Sequence, residues 1–296
     1  MTRDAASARD TTEAANTTEA APAAPATTPT TPTSATEAAA RRLTEAYATG
    51  VPCPPLRGDL LAEDDLEAAY AVQRAQTERW SAQGRRPVGA KIGLTSPAVQ
   101  QSLGVHQPDY GVLFAEMAVP DGAEAGLGRL LQPRAEAEVA FVLGADLPYE
   151  RTTTADVIGA TAYLLPAIEI VDSRVADWDI SIVDTIADNA SSGLFVLGTS
   201  PRPLSAVDLR LCGMVLERNG EPVSVGAGAA CLGNPVHAVA WLAQTLARAG
   251  SPLRAGDVVL SGALGPMAQV VAGAAFEARI SGLGSVRVNF PPQEVA

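Results

Sequence analysis

The chain has 296 residues, with 33 aspartates and glutamates against 21 lysines and arginines and a formal net charge of −12. So acidic a surface repels nucleic-acid phosphates, and no basic stripe interrupts it, which excludes a nucleic-acid partner. An anionic small substrate would need a local cation or a metal ion to hold it. Hydrophobic residues at 47% and charged residues at 18% fit a soluble globular protein of one large or two modest domains.

Residues 1–33 are nearly all Ala, Thr, Pro, Glu and Asp, as in "TTEAANTTEAAPAAPATTPTTPT". A segment with so little to bury is expected to be disordered. It has neither the apolar stretch of a signal peptide nor the basic character of a transit peptide, and no apolar run approaches the ~20 residues of a membrane span. The expected location is the cytoplasm, with no membrane partner.

Order is predicted to begin at Ser34, where "SATE" forms a capping box with Ser34 as N-cap and Glu37 at N3 and leads a helix to Gly50. A second helix is predicted over about Ala62 to Gln83, with Leu66, Tyr70, Gln73 and Trp80 near helical spacing. "VGAKIGLTS" reads as a short strand, and Ser96-Pro97 opens a helix that runs towards Gly104. From residue 130 strands dominate: "EAEVAFVLG", "LLPAIEIVDS", "GLFVLG", "LRLCGMVLERNGEPV" with a hairpin at Asn219-Gly220, "GDVVLSG" and "FEARISGLGSVRVNF". One late helix is capped by Asn234, carries Pro235 at N1 and closes at Gly250. The result is a helical N-terminal part, 34–105, ahead of a mainly β part, 106–296, without internal repeats.

Three cysteines, Cys53, Cys212 and Cys231, lie far apart without a CxxC, and read as free thiols of a reducing compartment. His106 and His237 are the only histidines, and no GxSxG occurs. A histidine-rich zinc site or a Ser-His-Asp triad is therefore poorly supported, and chemistry falls to carboxylates, lysine and hydroxyls.

The stretch "PRAEAEVAF", residues 133–141, puts Glu136 and Glu138 two apart in a strand, where alternate side chains share a face. Glu169 in "PAIEIVDSR" alternates with Ile168 and Ile170 in the same way. Acids that converge from neighbouring strands need a cation between them, and oxygen-only ligation suits Mg²⁺ or Mn²⁺. The alternative is the solvated face of an amphipathic sheet. Lys91 in "KIGLTS" and Asp109 in the Pro/Gly turn "LGVHQPDYG" are either functional or solvent-facing. "IVDTIADNASSG" adds Asp184, Asp188, Asn189, Ser191 and Ser192, which fit a hydrogen-bonded turn equally well.

Taken together, "GAKIGLTSPAVQQSLGVHQPDYGVLFAEM", "LQPRAEAEVAFVL", "PAIEIVDSRVADWDISIVDTIADNASSG" and "AWLAQTLARAGSPLRAGDVVLSGALGPM" resemble the 2-hydroxypenta-2,4-dienoate (2-keto-4-pentenoate) hydratases of the fumarylacetoacetase superfamily. The resemblance spans about residues 36–290, with several long motifs in order. It implies an α+β fold: a mixed β core, a partly rolled sheet, with an N-terminal helical part attached. It places metal-binding acids at Glu136, Glu138 and Glu169, an active-site lysine and aspartate at Lys91 and Asp109, and a serine at Ser191. It also implies a Mg²⁺ or Mn²⁺ cofactor, a 2-hydroxydienoate or 2-oxo acid substrate, hydration in the meta-cleavage catabolism of aromatic compounds, and a homo-oligomer. His106 departs from relatives that often carry Asp there, beside the motif rather than in it. The 4-oxalocrotonate decarboxylases share this motif set and are the alternative, although "LSGALGPM" looks more like the hydratases. The superfamily's C–C hydrolases would want a histidine-assisted water, and a non-catalytic homologue would not need Lys91, Asp109 and three glutamates together.

Overall fold

The helices at the start of the chain bury small residues at helical spacing. Here the protein is a computed structural model that describes residues 34–102 and 104–292; the stretch 1–33, expected to be disordered, lies outside the described residues. Helix α1 (Ser34–Thr49) buries Ala39, Ala40, Leu43 and Ala46, and α2 (Leu66–Ala82) buries Ala69 and Val72 beside them. Helix α2 starts four residues later than its periodicity suggests. Asp65 is the cap, its carboxylate accepting from Ala68 N at 2.9 Å, and a turn around Leu56–Leu61 occupies the chain before it. Two buried amides on α2 then tie it to the sheet region: Gln73 donates to Tyr110 O and Ile186 O, and Gln76 donates to Ala187 O.

The chain continues through β1 (Pro87–Gly93), α3 (Pro97–Ser102), β2 (Asp109–Phe114), β3 (Ala118–Val119) and β4 (Arg134–Leu143). Then follow α4 (Thr154–Ala160), β5 (Thr161–Val171), α5 (Ile182–Ala187) and β6 (Ser192–Leu197). The remainder is β7 (Gly213–Arg218), β8 (Glu221–Ala227), α6 (Pro235–Arg248), β9 (Val258–Ala263), β10 (Ala268–Gln269), β11 (Ala275–Ile280) and β12 (Gly284–Asn289). The larger sheet has the order β2-β1-β9-β4-β5-β6-β3, with β10 beside β4; β1–β9 and β3–β6 are parallel and the other pairs antiparallel. The smaller sheet, β12-β11-β7-β8, is antiparallel and packs across β4 and β5. This is the expected α+β architecture, a mixed, partly rolled sheet with helices at its N-terminal side.

Alternation along β4 decides where the site lies. Ala135, Ala137, Val139, Phe141 and Leu143 join the main core with the smaller sheet and α6. The opposite face carries Arg134, Glu136 and Glu138 and then turns apolar at Ala140 and Val142, which pack with Leu165, Ala167 and Phe195. One end of that face is thus polar and the other is sealed.

Two helices were not legible in the sequence. Helices α4 and α5 are each opened by a capping box, Thr153–Asp156 and Ser181–Asp184, which stabilises segments too short to show a period. The strand expected from Leu209 begins only at Gly213, because Asp208 holds a turn by accepting from Arg210 N and Leu211 N. The hairpin at Asn219-Gly220, the Asn234 cap and three free buried cysteines are as read.

The end of β5 and the start of β6 are clamped by Arg174, which is fully buried. Its guanidinium donates to Asp188 Oδ1, Asp188 O and Ser192 O, and lies over the Tyr47 ring. Burial raises the Asp188 carboxyl to about 6, even though Arg174 pulls it down. Replacing Arg174 with Met strands that carboxylate in the interior. The variant is expected to lose about 3–5 kcal/mol of stability in urea unfolding.

Candidate metal-binding active site

The three glutamates converge. The β4–β5 ladder sets Glu136 directly opposite Glu169, and Glu138 lies two residues further along the same face. One carboxylate oxygen from each lies within 4.8 Å of the others. Glu138 and Glu169 are 0% and 1% exposed, which rules out the solvated-face alternative, while Glu136 keeps a partly exposed edge.

Glu138 is held by the backbone. Between Glu138 and Ala140 the β4–β9 ladder shifts register, leaving an extra residue in β9 around Ser261-Gly262. Gly262 takes φ +104, a side chain there would overlap Thr95, and its N–H donates to Glu138 Oε2 at 2.7 Å. Glu138 Oε1 and both oxygens of Glu169 make no hydrogen bond of standard geometry. Burial, followed by repulsion from Glu169, lifts the Glu136 carboxyl to about 7. Burial with Glu169 and Glu136 beside it lifts Glu138 well above the usual carboxylate range, and burial also raises Glu169. Buried carboxylate oxygens gathered at one point, with few hydrogen bonds to satisfy them, are a hard-oxygen donor set, the kind that suits a divalent cation.

Lys91 lies mid-strand in β1, between β2 and β9, and is 3% exposed. Its Nζ stands 3.2 Å from Glu169 Oε1, an ion-pair distance. Burial alone would lower this ammonium, but Glu169, Asp109, Glu136 and Glu138 together raise it, so Lys91 stays charged. Four carboxylates face one ammonium.

Asp109 begins β2 opposite Gly93, on the same face as Lys91. A side chain at Gly93 would overlap Asp109 Oδ1, so glycine makes room for the acid. Asp109 Oδ2 accepts from Thr185 Oγ1 at 3.3 Å, while Oδ1 makes no hydrogen bond of standard geometry. Burial raises this carboxyl, against the opposing pull of Lys91 and Thr185.

Ser191 is delivered by a strained turn. Asn189, Ala190 and Ser191 have φ of 52°, 53° and 51°, three successive left-handed residues without a glycine. The Asn189 side chain exchanges two hydrogen bonds with the Val112 backbone, and Ser192 Oγ donates to Asn189 O. Ser191 Oγ then lies 3.2 Å from Thr185 Oγ1.

Lys91, Asp109, Ser191, Glu136, Glu138 and Glu169 thus line one region. The other acids of "IVDTIADNASSG" are framework: Asp184 accepts from Leu56 N, Arg57 and Ser181, and Asp188 pairs with Arg174. His106 and His237 are exposed. Sequence reasoning missed Thr185, Gly93 and the Gly262 amide. Thr185 sits in a helix too short to be read as one, and the two glycines are explained only by partners distant in the chain.

Residues 94–290 match the family model described as fumarylacetoacetate (FAA) hydrolase C-terminal. The chain is 60% identical over 252 residues to the TodF product hydratase of Pseudomonas putida strain F1, covering 85% of this chain and 94% of that protein. It is 58% identical over 254 residues to 2-keto-4-pentenoate hydratase 2 of Dechloromonas aromatica strain RCB, covering 86% and 97%. Among solved structures, 4-oxalocrotonate decarboxylase from Pseudomonas putida G7, complexed with magnesium and adipate, superimposes with a TM-score of 0.82 at 37% identity, covering 86% and 97%. The same decarboxylase has also been solved with calcium and acetate.

A carboxyl raised on folding contributes stability below its unfolded pKa and loses it as pH rises through the folded one. With EDTA present, the melting temperature is therefore expected to fall as pH climbs from 4.5 towards 7 on account of Glu136. Glu136→Gln should flatten that slope, and Mg²⁺ should restore stability on the alkaline side. Calorimetric melts across that range, with and without Mg²⁺, check both expectations.

Proposed function

This chain belongs to the fumarylacetoacetate hydrolase family, and we propose that it is a divalent-metal-dependent hydro-lyase. It adds water to 2-hydroxypenta-2,4-dienoate to give 4-hydroxy-2-oxopentanoate, a step in meta-cleavage catabolism of aromatic compounds. The observation that carries this reading is the largely buried Glu136–Glu138–Glu169 set facing Lys91 and Asp109, in a chain 60% identical to a named hydratase. Residues 34–296 act as one hydratase domain, in the cytoplasm, as a homo-oligomer, with no nucleic-acid or membrane partner. Among the described residues no helix is long and apolar enough to cross a membrane.

Water does not add readily to an electron-rich dienol. The dienol first gives up its 2-hydroxyl proton and takes one at C5, becoming a 2-oxo-3-enoate with an electrophilic C4. Water then adds at C4 and a proton at C3. Glu136, Glu138 and Glu169 hold the cation. When bound, Mg²⁺ or Mn²⁺ supplies Lewis acidity to the 2-oxygen and countercharge to the substrate carboxylate. Asp109 is the general base, taking the enol proton or activating the water, and burial, by raising its carboxyl, brings its basicity nearer to neutral pH. Lys91 steadies the anion and can pass a proton, since it stays protonated among the acids. Ser191 orients the substrate from the end of its turn.

The similarity to 4-oxalocrotonate decarboxylase supports a second reading, because decarboxylation needs the same enolate stabilised. The higher identity to the hydratases favours hydration.

Freshly generated dienoate, with 4-oxalocrotonate in parallel, separates the two. Dienoate is expected to convert to 4-hydroxy-2-oxopentanoate by NMR, with turnover abolished by EDTA and restored by Mg²⁺ or Mn²⁺. Carbon dioxide from oxalocrotonate beside inert dienoate would make the chain the decarboxylase instead. Glu138→Gln should cost more than the roughly 10–100-fold lost on disturbing groups that merely orient metal ligands. Lys91→Met should lower kcat on the order of 10²-fold.

A further inference from the structure

Thr185 has no role in the reaction as described, yet among the described residues its hydroxyl is the one side-chain group that joins Asp109 to Ser191. Its Oγ1 lies 3.3 Å from Asp109 Oδ2 and 3.2 Å from Ser191 Oγ, and all three residues are at most 5% exposed. A hydroxyl has one hydrogen to give. Thr185 gives that hydrogen to Asp109 Oδ2, and a carboxylate there can only accept. Its oxygen must then accept from Ser191, so the Ser191 hydrogen is directed inward.

Two consequences follow for the site. Asp109 is held through Oδ2, with Gly93 leaving room for Oδ1, and Oδ1 stays without a hydrogen bond of standard geometry. Ser191, having spent its hydrogen on Thr185, offers only lone pairs. Asp109 Oδ1 and Ser191 Oγ are then two acceptors, which match a donor with two hydrogens.

We propose that Thr185 is a positioning residue, whose hydroxyl fixes Asp109 and turns Ser191 into an acceptor so that the pair grips the two hydrogens of the water to be added. The inference rests on the hydration reading for its water, but the hydrogen-bond order does not. On addition, the water oxygen bonds to C4, one hydrogen passes to Asp109 as a proton, and the other stays on the new 4-hydroxyl. The proton needed at C3 balances the one Asp109 receives. Thr185 acts through Asp109 and Ser191.

The test uses the full-length, Mg²⁺-loaded enzyme. Thr185→Val keeps the shape and removes the hydroxyl, Thr185→Ser restores it, and Thr185→Ala is the second deletion should Val fail to fold. The deletion is expected to lower kcat on the order of 10²-fold with KM within about 3-fold, while Ser keeps kcat within about 5-fold of wild type. The Mg²⁺ titration should stay at the wild-type value, while the deletion variant melts somewhat lower for want of a buried hydrogen bond and the Ser variant regains it. Unchanged kcat in the deletion variant, or a folded Ser variant as impaired as it, overturns the proposal.

A readout without turnover separates this from failure of the hydration reading. In infrared difference spectra with ¹³C-labelled aspartate, the Asp109 carboxylate band is the one lost in Asp109→Asn. It is expected to shift in the deletion variant and return in the Ser variant. If wild type leaves dienoate unchanged but the band behaves so, the hydration reading fails and the positioning role stands. A band that does not move overturns the positioning role whatever the turnover.

Discussion

Everything at the site depends on the repulsion among carboxylates taken out of water. Glu138, Glu169 and Asp109 are buried and Glu136 partly so; Lys91 is the one buried cation among them within the described residues, and the part-exposed Arg134 reaches only Glu136. A unit-charge pair 4 Å apart is worth about 4 kcal/mol at an effective dielectric constant of 20, so one lysine cannot neutralise four neighbours of opposite sign. The fold tolerates this because its stability comes from elsewhere. The other face of β4 and β5 is packed with Ala137, Val139, Ile168 and Ile170 against the smaller sheet. A charge imbalance on one face is thus carried by apolar burial on the other, and it remains as an affinity for a divalent cation.

The same division of labour supports Ser191. Three successive left-handed residues cost roughly 1–2 kcal/mol each, and such strain survives only where the surroundings over-determine the backbone. Here they do: Asn189 is paired on both edges with Val112, Arg174 holds Asp188 and Ser192 O, and α2 reaches in with Gln73 and Gln76. These are buried, charge-assisted or paired hydrogen bonds. The N-terminal helices therefore do more than cover the sheet, because their amides fix the carbonyls of α5, and α5 carries Thr185.

What could be read in the sequence was periodic or local. Alternation in "AEAEVAFVL" and "AIEIV" gave the faces correctly, since strand side chains must alternate whatever surrounds them. Asn234-Pro235 and Asn219-Gly220 are self-contained signals and were found where they stand. Convergence of Glu169 with the other two acids was not local, because it depends on the β4–β5 register, and there the family resemblance supplied what the pattern left open. Three features stayed out of reach for the same reason. Gly93 exists for Asp109, Gly262 for Glu138 and Thr95, and Thr185 for two residues on other elements. Gly262 lies far along the chain from its partners, helix α3 and a turn stand between Gly93 and Asp109, and a left-handed turn separates Thr185 from Ser191.

The site has two sides with different demands. Under the proposed function the glutamates and Lys91 address a planar, anionic 2-oxo acid, and both hydration and decarboxylation need that service, since each passes through an enolate. A site built of these residues alone would not choose between the two reactions. Choice requires something that holds a water at one carbon in a fixed orientation, or that keeps water away. Asp109, Thr185 and Ser191 are polar, buried and linked in a row, which is an arrangement for holding water rather than excluding it. Asp109 and Ser191 stand in the motif set that the decarboxylases share, so under the proposed function the choice rests on how the Thr185 hydroxyl directs them, and the direction of one hydrogen bond matters as much as the identity of the acids.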